Sequence, residues 1–113
     1  MTDKLHGDNK LTIQHQHALS DADAQARMRV LGEYLEKRHG ITVSWSSPDK
    51  AVFNGKYLVV KIKGDLLLSP GNVTFAGVDP GALWRRKATE YILGKLKKYL
   101  DPKIALADLP RAG

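Results

Sequence analysis

The 113-residue sequence contains no cysteine, which excludes a disulfide scaffold, a thiolate metal site and a cysteine nucleophile. That usage fits a reducing compartment, and a cytoplasmic location is expected. Long apolar runs are also missing, so no membrane span is expected. Met1–Lys10 is polar, without a basic region leading into an apolar one, and reads as a flexible leader with no secretory signal. Catalytic signatures are absent as well. Ser20, Ser44, Ser46, Ser47 and Ser69 fall at caps, strand edges and turns, and none sits in a nucleophile elbow. Gly64 and Gly71 lack the spacing, and the following Lys-Ser/Thr, of a phosphate-cradling loop. The acids fall on helix starts and turns, where capping explains them. No catalytic residue is assigned, no cofactor is implied, and a non-enzymatic chain is expected.

Hydrophobic residues make up 42% of the chain, enough for one compact domain with a real core. Eighteen Lys and Arg stand against twelve Asp and Glu, a formal charge of +6, which favours anionic partners.

The apolar spacing predicts the order β-α-β-β-β-β-α. Leu11, Ile13, His15 and His17 alternate with polar residues as a first strand. Ser20 is placed as the N-cap of a helix whose stripe is Ala24, Met28, Leu31 and Leu35, and Gly40 as its left-handed stop. Ile41, Val43 and Trp45 open a β region that turns at Ser47–Lys50. Asn54–Gly55 is the dipeptide suited to a type I′ hairpin turn. The strand expected next puts Leu58, Val60, Ile62, Leu66 and Leu68 on one face, with Gly64 as a bend or bulge. Pro70–Asn72 turns into a last strand, Val73–Val78. Asp79–Pro80 is expected to start a second helix striped by Trp84, Ala88, Tyr91, Ile92, Leu96 and Tyr99. The expected architecture is α+β: an antiparallel sheet of four to five strands with two amphipathic helices on one face. Residues 11–101 form the domain and 102–113 a C-terminal tail, which makes one extra turn or frays.

Three groups of side chains carry candidate chemistry. His15 and His17 share a strand face but lack a third ligand, so partly buried, hydrogen-bonded histidines are expected and no metal. Arg85, Arg86 and Lys87 open the last helix, where the dipole disfavours them, and Arg85 and Lys87 have no acid four residues on. A solvated helix face accounts for them without a partner. The layout of helix, three strands and helix is also similar to that of the double-stranded-RNA-binding domain, which makes these three residues the alternative, nucleic-acid-binding site. The third group lies on the open face of the sheet, where Tyr57, Val59 and Ala76 stand among Lys61, Lys63 and Thr74. A homodimer contact would use the same face. A small-molecule cavity between helices and sheet is also compatible with the pattern.

A second resemblance runs through the sequence itself. Ile13–Ser20, the helix containing Ala24, Leu31 and Leu35, Gly40–Ile41, and the segment from Trp45 through Asp49 to Phe53 carry it first. Gly64–Leu68, Val73–Phe75 and the closing helix to Leu100–Asp101 carry it on. In these stretches the chain resembles the bacterial polyhydroxyalkanoic acid system, or granule-region, proteins. The resemblance implies a cytoplasmic accessory protein without established enzymatic activity, whose partner is a polyhydroxyalkanoate granule or a granule protein.

Overall fold

The computed structural model describes residues 10–57 and 60–111. The chain begins with β1 (Lys10–Gln16) and α1 (Asp21–His39), continues through β2 (Thr42–Ser47), β3 (Lys50–Tyr57), β4 (Val60–Ser69) and β5 (Asn72–Val78), and ends with α2 (Ala82–Tyr99) and a short 3-10 turn (Leu106–Asp108). The sheet is antiparallel throughout, in the order β1-β5-β4-β3-β2. Strands β2 to β5 form a meander, and α1 carries the chain from β1 at one edge to β2 at the other. Both helices lie on one side: α2 packs on β1, α1 on β2 and β4.

Helix α1 starts and stops where its caps dictate. The Ser20 hydroxyl accepts the Asp23 N–H, and Gly40 closes the helix at φ 70, with its own N–H on the Glu36 carbonyl. Ala24, Met28, Leu31 and Leu35 are buried against Ile13, Ala51, Phe53, Leu66, Leu68, Val73 and Phe75, the inward alternates of the strands.

Four local expectations are corrected. Asn54 and Gly55 are not a turn: they pair with Lys63 and Ile62 inside the β3–β4 ladder, which runs on to a Tyr57–Val60 pair. Gly55 serves packing instead, because a Cβ there would lie 3.0 Å from the Ile41 Cα. The strand expected from Leu58 therefore begins at Val60, and Leu58 lies outside the described residues. Gly64 is neither bend nor bulge, since it pairs in unbroken register with Phe53 and Gly77, and the register shift falls between Trp45 and Ser47. Helix α2 starts at Ala82 rather than at Pro80, because Gly81 stands before it at φ 99, a conformation open to glycine that breaks the helical path.

The segment after α2 is part of the domain. Leu109 is buried, the buried Tyr99 donates its hydroxyl to the Pro110 carbonyl at 2.6 Å, and Arg111 pairs with Glu33 at 3.1 Å. Burial pushes the Tyr99 phenol up to about 12.

Candidate functional site

Helix α2 bears two adjacent stripes at intervals of four residues. Trp84, Ala88, Ile92 and Leu96 form an apolar one, and Lys87, Tyr91 and Lys95 a polar one beside it. Only the C-terminal end of the apolar stripe is fully buried. Leu96 is 1% exposed, whereas Trp84, Ala88 and Ile92 are half-buried. The first half of the helix thus stands off the sheet, and a cleft of about 580 Å³ opens beneath it. Its floor is Phe53, Ile62, Leu66 and Phe75, and α1 contributes Leu31, Leu35 and His39 as the opposite wall.

The floor depends on two glycines. Phe53 and Phe75 meet edge-on with ring centroids 5.9 Å apart, and the Phe75 ring lies over the paired Gly64 and Gly77. A Cβ on Gly64 would come within 2.9 Å of that ring, and one on Gly77 within 3.1 Å.

The lip is polar and aromatic. His39 Nε2 and the Tyr91 hydroxyl are 2.9 Å apart, so the end of α1 is joined to the middle of α2. The Lys95 ammonium sits 4.3 Å from the Tyr34 ring centroid and 5.4 Å from that of Tyr91, a cation held between two π faces. Lys87 is exposed at the same lip. Partial burial, with Arg38 and Lys95 nearby, lowers the His39 pKa below 6.5. Burial, His17 and Lys97 do the same to His15. A lowered histidine pKa means that, as pH falls, the unfolded chain takes up the proton first. Stability is then full above the unfolded value near 6.5 and declines as pH drops below it, down to the lowered folded values. Urea midpoints measured at about pH 7.5 and about pH 5.5 are expected to fall with pH, and to fall less in His39→Gln.

The other side of the sheet is open. Lys10, Lys50, Lys56, Lys61 and Lys63 are exposed there, and Asp65 is the one carboxylate of the strands' open side among the described residues. Lys61 and Lys63 lie where the alternation predicts, and Thr74 and Ala76 lie half-buried on the same side. Val59 is outside the described residues, and Tyr57 is described only through its backbone pairing with Val60. Sequence reasoning missed Lys10, Lys50 and Lys56, and it missed the exposed Val52, Leu67 and Val78. Extending β3 past Gly55 would have found Lys56, and the others fall on outward alternates of β1, β3, β4 and β5. Lys56 stands directly opposite Lys61, an unfavourable like-charge pair, and Lys63 follows two residues on.

Arg85, Arg86 and Lys87 are divided. Arg85 Nε meets Asp79 Oδ2 at 2.8 Å, so it has an acid after all, six residues earlier rather than four later. The Asp79 carboxyl also accepts the Gly81 N–H, and that bond, with Arg85, holds its pKa below the usual range. Arg86 pairs with Glu90 at 3.2 Å, as the spacing predicts, and Lys87 turns to the cleft. His15 lies on the helix side of β1 and His17 just past the strand's end, where its Nδ1 accepts the Leu19 N–H at 3.1 Å. No group of three potential metal ligands occurs among the described residues. No described helix is long and apolar enough to cross a membrane.

Residues 11–104 match the family model described as "Putative polyhydroxyalkanoic acid system protein". The chain belongs to this family. No curated protein and no solved structure matches it significantly. In this polyhydroxyalkanoic acid system protein the matched span takes in the whole cleft and every open-face lysine except Lys10.

Proposed function

We propose that this chain is a non-enzymatic accessory protein of the polyhydroxyalkanoate system that attaches to granules through the open face of its sheet. The observation that carries the reading is the Lys56–Lys61 pair with Lys63 beside it. Like charges directly opposite in a ladder cost folding stability, and an anionic surface laid across them would offset that cost. Lys10 and Val78 pair at the same end of the sheet, since Val78 follows Gly77 just as Lys63 precedes its partner Gly64. The contact is therefore a cationic patch with a small apolar part.

Co-sedimentation with isolated granules tests it. Retention is expected at low ionic strength and should be largely lost at about 1 M salt, where the Debye length is about 3 Å. Lys56→Ser, Lys61→Ser and Lys63→Ser together should abolish retention without destabilising the fold, since they remove a repulsion. Failure to sediment at low salt, or retention indifferent to salt and to the three substitutions, would sink the reading. Loss of retention on Arg85→Ala and Lys87→Ala instead would move the contact to the start of α2.

A further inference from the structure

We infer that the cleft under α2 is a binding site for one single-chain amphiphile, an acyl chain with a carboxylate head, independent of any contact made by the open sheet face. A cleft of about 580 Å³ lies within the range of about 300–1,000 Å³ that takes one small ligand. Its volume also argues against a partner helix. A helix about 10 Å across with its side chains would exhaust that space in little more than one turn. An extended chain, by contrast, follows the trough between the apolar stripe of α2 and that of α1.

The polarity is graded along the wall. Phe53, Leu66 and Phe75 at the floor offer no hydrogen-bonding group, so the buried end of the ligand must be apolar. The hydrogen-bonding and charged groups gather at the lip, and two of them, Lys87 and Lys95, are cations on one stripe of α2, two helical turns apart. Glu90, the acid that lines the cleft, is engaged with Arg86. An anionic head at the lip would meet the Lys95 ammonium, already held in place by Tyr34 and Tyr91, and the exposed Lys87. A cationic head would be repelled there, and a neutral one would accept a weaker hydrogen bond.

Trp84 lines the cleft, which makes it a natural reporter. With Trp45→Phe as background, the full chain is titrated with sodium decanoate below its micelle concentration, following tryptophan emission and, separately, heat. Saturable binding of one decanoate per chain is expected, at least about tenfold tighter than binding of decan-1-ol, because the alcohol forgoes the charge-assisted contact. Lys87→Met with Lys95→Met should remove that preference while leaving decanol binding unchanged. Ala88→Phe, which fills the cleft from above, should abolish binding of both. A thermal melt of each variant separates lost binding from lost folding. Absence of saturation would overturn the assignment, as would binding that survives Ala88→Phe in a folded protein. Equal affinity for acid and alcohol would overturn the carboxylate head. None of these readings involves granules, so failure here leaves the sheet-face proposal standing, and the reverse.

Discussion

Gly64→Ala is expected to cost about 3 kcal/mol of folding stability, near the upper end for overpacking a core. The reason lies in what surrounds the missing side chain. A Cβ at Gly64 would lie 2.8 Å from the Ala76 carbonyl oxygen, 2.8 Å from the Gly77 Cα and 2.9 Å from Phe75 Cζ. Two of those three atoms are backbone of the neighbouring strand, which can retreat only by loosening the ladder. The third is the ring that floors the cleft. Phe75→Leu in the Gly64→Ala background should therefore restore only part of the loss, because the backbone contacts remain. Urea unfolding of the two single variants and the double one measures this directly. A cost below about 1 kcal/mol for Gly64→Ala would mean that β5 shifts freely and that the close approach does not constrain the sheet.

Arg27→Met should cost a similar amount, about 2–3 kcal/mol, for an electrostatic reason. Arg27 is 4% exposed, the one buried charged residue among those described. Its Nε meets Asp23 Oδ1 at 2.8 Å, and one terminal nitrogen donates to the carbonyls of Tyr99 at 3.2 Å and Asp101 at 3.0 Å. The Tyr99 carbonyl ends α2, where backbone acceptors lack intrahelical partners and the dipole is negative, and the Asp101 carbonyl lies just past the C-cap. The guanidinium thus caps α2 from α1 and anchors the segment that brings Leu109 and Pro110 onto the core. Methionine keeps the volume but removes the donor to the Tyr99 carbonyl, whereas the Asp101 carbonyl keeps the Ile104 N–H at 3.0 Å. Asp23→Ala should cost less, because the Asp23 side chain is 36% exposed and water can replace it. Arg27→Lys should not rescue, since one ammonium cannot reproduce the directed fork. Equal losses for Arg27→Met and Asp23→Ala would assign the effect to the ion pair and not to the helix end.

Much of the frame was legible because it rests on local chemistry. Ser20 and Gly40 bound α1 through groups within four residues of each, and Ala24, Met28, Leu31 and Leu35 recur with the helical period. The alternation of Ile62, Leu66 and Leu68 with Lys61, Lys63 and Asp65 assigned both faces of β4, because a strand has only two. Two of the misreadings share one cause. Asn54–Gly55 and Gly64 carry strong local signals for a turn and a bulge, yet each glycine is needed for a close approach by distant backbone or a ring, at Ile41 and at Phe75. Propensity does not see such neighbours. The candidate site was less legible still. A cavity between helices and sheet was compatible with the pattern, but an apolar stripe reads the same whether it closes on the sheet or stands away from it.

The sequence by itself determined the element order, both faces of β4, the caps of α1 and the excess of positive charge, all of which follow from period and composition. Only the tertiary structure decided that α2 lifts from Phe53 and Phe75, that Lys56 opposes Lys61, and that Arg27 closes the far end of α2. Each of these depends on residues distant in the chain, whose meeting is set by ladder register and packing and by no local preference.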